Sequence, residues 1–315
     1  MSSNFPKLAS WGGRNKSRVR LFKKYEIQTL VQQDSTDFER PAGWKPSMLT
    51  FSGPDATLER LLVNHKLVKP SDITTIQTYE RLSEGHFGEP LLKKLIRTRS
   101  DHLSGMRIWP HNFESFSQCY TNAGCSHPSV SSQARWSKSP FKKFMDQIVD
   151  EKVKKFSVMD LDLCGIFSHK NSESVLNLFE NKVVEHSGVM FLTHQKGRDV
   201  RGGALFKVLN DYLKNCPYID YDKIYYIDDP KKQTYVARFI LIPLYYICKA
   251  YELGYALELN RLIEYRDCVD GPAVNMLQYF FKWYNIDWLE SPTEVARDSM
   301  ASVMADSYPH LKWID

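Results

Sequence analysis

The sequence predicts an α/β fold with one mostly parallel sheet, and two observations carry that prediction. Short apolar runs alternate with segments of helical spacing between residues 46 and 250. Such alternation produces right-handed βαβ units on a parallel sheet. In addition, the run from Lys154 to Ser168 begins apolar, reaches Asp160 and Asp162, and turns at Gly165. Because ligands collect beyond the carboxyl ends of parallel strands, these two acids predict a functional loop.

Composition limits the class of protein. The chain has 315 residues, of which 43% are hydrophobic, enough for one large α/β core. Its six cysteines are scattered and no apolar leader precedes the basic start, which predicts an intracellular, cytoplasmic protein. The longest apolar run, residues 235–248, is interrupted by Arg238 and Pro243 and is too short to cross a bilayer, so no membrane partner is expected.

Three regions are predicted: a basic arm over residues 1–45, an α/β domain over 46–250 and a helical cap over 251–315. From residue 1 to residue 24 the arm has seven basic residues and no acid, in a chain whose net charge is +5. Basic arms often contact phosphate, which favours a nucleic-acid partner, although a solubilising tail is the alternative. The basic residues are Lys7, Arg14, Lys16, Arg18, Arg20, Lys23 and Lys24.

The elements follow from hydrophobic spacing and from turn residues. Strands are predicted at Ser47–Asp55, Ile73–Glu80, Met106–Pro110, Phe156–Leu161 and Gly188–His194, with helices at about Ala56–Asn64, Pro90–Arg99 and Ser172–Glu185. Two β-rich runs, Lys223–Asp228 and Thr234–Cys248, predict an antiparallel hairpin that closes the sheet. In the cap, Pro272–Tyr284 and Thr293–Ala305 have the spacing of amphipathic helices.

Asp160 and Asp162 are the candidate catalytic residues. If the strand ends at Leu161, both carboxylates reach the same pocket, where one could accept a proton from a nucleophile or orient it. The alternatives are a helix N-cap beside a solvated acid, and a pair of carboxylates that holds a divalent metal. No metal site is predicted elsewhere, because Cys119, Cys125 and His127 lack a second ligand pair at zinc spacing.

Five β-α steps followed by a hairpin resemble the order of the class I methyltransferases that use S-adenosylmethionine, which have a Rossmann-like fold. Phe51-Ser52-Gly53-Pro54-Asp55 is similar to the glycine turn of that family. Glu80, at the end of the second strand, is similar to the acid that binds the ribose hydroxyls, and Asn112 follows the third strand, where the family contacts adenine. The resemblance implies S-adenosyl-L-methionine as cofactor, bound by Ser52, Gly53, Asp55, Glu80 and Asn112.

The segment Asp160-Leu161-Asp162-Leu163-Cys164-Gly165 resembles the D-x-D-P-x-G loop of tRNA guanosine-N2 dimethyltransferases. That resemblance implies a nucleic-acid substrate, RNA or DNA, which Lys196, Arg198 and Arg201 after the fifth strand are expected to contact. Leu163 replaces the proline of the loop, and Gly53 alone remains of the glycine run. These differences leave a second interpretation open, a catalytically silent methyltransferase-like subunit that binds nucleic acid, or a protein through its C-terminal helices.

Overall fold

The structure is a computed structural model, and the residues it describes contain eight strands and seven α-helices. They are residues 9–11, 16–37, 40, 43–53, 55–76, 88–109, 155–163, 167–195, 202–216, 233–234, 236–267 and 274–311. The strands are β1 (Ala9–Trp11), β2 (Met48–Thr50), β3 (Ile73–Ile76), β4 (Arg107–Trp109), β5 (Phe156–Asp162), β6 (Val184–Gln195), β7 (Tyr255–Asp267) and β8 (Val274–Asn285). The helices are α1 (Lys16–Asp37), α2 (Thr57–Asn64), α3 (Gly88–His102), α4 (His169–Glu180), α5 (Gly202–Leu213), α6 (Ile242–Glu252) and α7 (Pro292–Leu311).

The chain divides into two compact units. The Asp160 unit comprises Arg18–Asp162 and Ser168–Val189, and the hairpin unit comprises Met1–Ser17, Leu163–Phe167 and Met190–Asp315. Strand pairing is parallel for β2–β3, β2–β5, β3–β4 and β1–β7, and antiparallel for β7–β8. The fold is therefore mixed α/β with mostly parallel pairing, as the sequence predicts.

The strands of the Asp160 unit follow the order β5-β2-β3-β4. All residues of β2 and β3 are buried, and so are the first six of β5. Such continuous burial is typical of parallel strands that are covered on both faces. The strands predicted around residues 48, 73, 107 and 156 are confirmed. The helix predicted at about Ser172–Glu185 ends earlier than expected, because α4 ends at Glu180 and β6 already begins at Val184.

The hairpin unit corrects two helix and strand predictions. Pro272–Tyr284 was expected to form a helix, but Val274–Asn285 is strand β8, paired with β7. The strand is nearly continuous in aromatic and apolar residues, and Tyr279, Phe280, Phe281 and Trp283 are all buried. A run that is buried on both faces has no polar period, so spacing alone cannot separate strand from helix.

The predicted hairpin over residues 223–248 is wrong in its second run. Thr234–Cys248 was expected to be a strand, whereas Ala237–Leu241 forms a π-helical turn that continues into α6. Pro243, in the first turn of α6, has no N–H to donate to the preceding π-helical turn, and the Arg238 carbonyl of that turn accepts a hydrogen bond from the Tyr279 hydroxyl over 2.7 Å. The first run, Lys223–Asp228, lies outside the described residues. The antiparallel hairpin exists, but it is built from β7 and β8.

The predicted arm contains a long helix, α1, of 22 residues. Val19, Phe22, Ile27 and Leu30 are buried along one side of it. In the C-terminal region, α7 confirms the helix predicted at Thr293–Ala305. The division of the chain at residues 45 and 250 stays a prediction. None of the helices in the part of the chain that the structure describes is long and apolar enough to span a bilayer.

Candidate functional site

In the Asp160 unit the chain adds β3 and β4 on one side of β2 and then places β5 on the other side, so the order of strands reverses at β2. Strand β2 has β3 on one side and β5 on the other, and all three are parallel. In open α/β sheets the ligand crevice lies at such a reversal, beyond the carboxyl ends of the two strands. Thr50 is the register partner of Asp160, and the Phe51 N–H donates to the Asp160 carbonyl over 3.1 Å. The chain segments that follow β2 and β5 therefore start side by side.

Asp160 is buried and ion-paired with a residue that sequence reasoning did not assign to the site. The Lys23 Nζ donates to Asp160 Oδ1 over 2.6 Å. The two side chains are only 8% and 11% exposed, so water does little to weaken the attraction between the two charges. A sequence signal for Lys23 does exist. It lies four residues from both Val19 and Ile27, on the buried stripe of α1.

Glu59 is a second carboxyl group at this edge that was not predicted. Its Oε1 accepts hydrogen bonds from Thr50 Oγ1 over 2.7 Å and from Ser52 Oγ over 2.6 Å. Burial raises the pKa of Glu59 above its usual value, and the charge of Asp160 raises it further, while the two hydroxyl donors oppose these effects. The sequence clue is an acid in the first turn of α2 between the buried Ala56 and Leu62.

Ser52, predicted to bind cofactor, belongs to this buried network. Besides the bond from its hydroxyl to Glu59, its backbone N–H donates to Thr75 Oγ1 over 3.0 Å. Its exposure is 3%. The side chain of Ser52 therefore anchors the turn after β2, which is the turn predicted to bind the cofactor.

Gly53 and Asp55, the other predicted cofactor residues after β2, are exposed. A Cβ at Gly53 would meet none of the described atoms within 4 Å, so the described residues leave the space beside this backbone open. The Ala56 N–H donates to the Gly53 carbonyl over 2.9 Å and closes the turn. Ala56 takes a left-handed conformation, with φ 43° and ψ 46°, immediately before α2. An open backbone at the end of β2 fits a ligand that approaches closely.

The structure brings Ser52, Gly53 and Asp160 to one edge of the sheet, and half-buried Asp162 ends β5 two residues later. The remaining predicted residues lie outside the described part of the chain: Glu80, Asn112, Lys196, Arg198 and Arg201, together with Cys119, Cys125, His127 and Cys164. Within the described ranges, no three His, Cys, Asp or Glu side chains are grouped to hold a metal ion.

Comparison with known proteins identifies no family for the chain. No protein-family model matches the chain, and no curated protein sequence matches it. Among solved structures, one from Pyrococcus horikoshii, provisionally named a transferase, aligns with a TM-score of 0.34 and 7% sequence identity. The alignment covers 84% of this chain but only 63% of that one, less than two thirds of its length.

Proposed function

We propose that the chain is an S-adenosylmethionine-dependent methyltransferase with a Rossmann-like methyltransferase fold, and that it acts on nucleic acid. The observation that carries the proposal is the reversal of strand order, which brings the exposed Gly53 backbone and Asp160 to the carboxyl ends of neighbouring parallel strands, where a ligand crevice is expected. The resemblance in element order and the acid pair at the end of β5 support it.

The cofactor would lie against the turn after β2, with its adenosine directed to Glu80 and Asn112. Gly53 offers a backbone without a side chain, and exposed Asp55 offers a carboxylate at the same turn. The Ser52–Glu59–Thr50 hydrogen bonds would hold this turn in place, since each of these three side chains is buried. A turn that is fixed before binding costs less free energy to order when the ligand arrives.

When bound, the cofactor supplies a methyl group on a cationic sulfur. A nucleophilic oxygen or nitrogen of the substrate would form the new bond to the methyl carbon as the carbon–sulfur bond breaks, and its proton would pass to a base at the edge of the crevice. Asp162, which is half-buried, is the described carboxylate best placed to orient that nucleophile. Asp160 would act through its ion pair with Lys23, which fixes the end of β5. Lys196, Arg198 and Arg201 would contact substrate phosphates.

Calorimetric titration with S-adenosylmethionine tests the proposal, with Gly53→Ala as the informative variant. The added methyl meets no described atom of the protein, so the variant is expected to fold normally while its binding weakens at least tenfold. An equal reduction is expected for Glu80→Ala. A wild-type protein that releases no heat with the cofactor, or a Gly53→Ala variant that binds as tightly as wild type, would contradict this placement.

A second candidate function is a catalytically silent binding subunit of the same fold. It is favoured by the Lys23–Asp160 ion pair, because the carboxylate predicted to be catalytic already has a cation beside it. Transfer of labelled methyl from the cofactor to a pool of RNA and DNA fragments separates the two. Incorporation that disappears in Asp162→Asn supports the enzyme, whereas cofactor binding without incorporation supports the silent subunit.

A further inference from the structure

Helix α1 has two opposite faces with different chemistry. Val19, Lys23 and Ile27 lie on the buried face, where Lys23 meets Asp160. On the other face, Leu21 is 56% exposed and Tyr25 is 65% exposed, one turn apart. Single exposed apolar residues are ordinary, but a leucine and a tyrosine at positions i and i+4 of a helix are neighbours and form a continuous apolar patch on the surface.

Basic residues lie beside this apolar patch of Leu21 and Tyr25. Arg18 is exposed one turn before Leu21, and half-buried Lys24 adjoins Tyr25. From residue 16 to residue 25 the helix contains no acid and five basic residues, of which only Lys23 lies on the buried face. An aromatic ring with neighbouring cations is the combination that binds a single nucleic-acid strand, because every base has a face that stacks and every nucleotide has a phosphate.

We propose that Arg18, Leu21, Lys24 and Tyr25, here called the α1 platform, bind a single strand of nucleic acid. One base stacks on the Tyr25 ring beside Leu21, while Arg18 and Lys24 contact phosphates. The two cations are six residues apart, which is about 9 Å along the helix axis, so they contact more than one nucleotide. Charge complementarity and the exposed ring favour a nucleic-acid strand as the occupant of this surface.

The α1 platform deepens the proposed function, and it rests on that function for its link to catalysis. The same turns of α1 that carry Lys23 to Asp160 carry Tyr25 to the opposite surface. A strand on the platform would thus lie within about one helix diameter, ~10 Å, of the Asp160 crevice. This places a substrate contact on the first helix, in addition to the predicted one after β6.

Fluorescence anisotropy with a labelled, unstructured oligouridine tests the platform in the full chain without cofactor. Tyr25→Ala is expected to raise the Kd about fivefold or more, the loss of one base–aromatic stack, whereas Tyr25→Phe keeps the ring and the affinity. Trp288→Ala is the matched control, because Trp288 is also exposed, at 50%, but its neighbours Asp287 and Glu290 are acidic. The control is expected to bind like wild type.

Salt dependence tests the phosphate contacts separately. Replacing Arg18 and Lys24 by glutamine is expected to lower the slope of log K against log salt by about 1.4, because each phosphate contact to a single strand contributes about 0.7. The same double change at exposed Lys207 and Arg297 is the control and should leave the slope unchanged.

Three results would overturn the platform: Tyr25→Ala binding as tightly as wild type, Tyr25→Phe weakening as much as Tyr25→Ala, or equal affinity for duplex RNA. Circular dichroism of each variant verifies that α1 is intact. The outcome of the cofactor titration does not depend on whether the α1 platform binds nucleic acid. Oligouridine binding that depends on Tyr25 in a protein that binds no cofactor would retain the platform and reject the methyltransferase.

Discussion

Glu59 makes the stability of the fold depend on pH. Its pKa is raised above 4.5, first by burial, so between 4.5 and the raised value the folded protein holds a proton that the unfolded chain has released. The folded state therefore gains stability that is complete below about pH 4.5 and is lost as pH rises through the raised pKa.

We predict that Glu59→Gln removes this dependence. The glutamine oxygen can still accept the bonds from Thr50 and Ser52, but it does not titrate. Urea unfolding at a series of pH values should show wild type losing stability relative to Glu59→Gln as pH increases from 4.5. A constant difference between the two proteins over that range would mean that Glu59 does not change its protonation on folding.

The Lys23–Asp160 pair predicts a strong thermodynamic coupling. Removing either partner takes a counter-ion away from a buried charge, and such a change costs about 3–5 kcal/mol. We expect Lys23→Met and Asp160→Asn each to destabilise by an amount of this order, and the double variant to cost clearly less than their sum. Urea unfolding of the four proteins measures the coupling.

Lys214→Met serves as the matched control for that cycle. Lys214 pairs with Asp211 at 3.8 Å, but the two side chains are 50% and 57% exposed. Water screens a pair of this kind, so the substitution should change stability by less than about 1 kcal/mol. Additive effects in the Lys23 and Asp160 cycle would show that the buried pair contributes no more than the exposed one.

At the scale of elements, the junction of α6 and β7 depends on a glycine with a left-handed backbone. Gly254 has φ 87°, its N–H donates to the Tyr251 carbonyl over 3.0 Å, and its carbonyl accepts from the Ile286 N–H over 3.1 Å. The turn thus ends the helix and aligns the start of the hairpin. Other residues adopt this conformation at a cost of about 1–2 kcal/mol.

We predict that Gly254→Ala destabilises the protein by about 1 kcal/mol, measured by urea unfolding. Gly53→Ala is the natural comparison, since neither added methyl meets a described atom within 4 Å and only Gly254 has positive φ. Gly53→Ala should be neutral or slightly stabilising, because alanine restricts the unfolded chain. Equal effects at both positions would show that backbone strain is not the cause.

Sequence patterns predicted elements well where polar and apolar segments alternate. Strands β2, β3, β5 and β6 and helix α2 follow from that alternation. The pattern failed for α6 and β8, whose residues are buried nearly all round, because uniform burial erases both the helical and the strand period. It also missed α1, since exposed Leu21 and Tyr25 blur the polar side of that helix.

At the scale of the whole molecule, the candidate site combines segments that no local pattern connects. Asp160 was predicted because it lies near the end of a recognisable strand. Lys23 was not, because its partner lies 137 residues further along the chain, and Thr75 reaches Ser52 across 23 residues. Local spacing indicates which side chains are buried, but pairing between distant segments depends on strand order, which the sequence does not display.

The order in which the chain is synthesised limits when the Lys23–Asp160 ion pair can form. Lys23 is translated 137 residues before Asp160, and at about 5–20 residues per second its partner follows roughly 7–27 s later. During that interval the Asp160 carboxylate does not yet exist, so this ion pair cannot form. Helix α1 is therefore synthesised before its buried partner, and the Lys23–Asp160 contact can form only after β5 has been made.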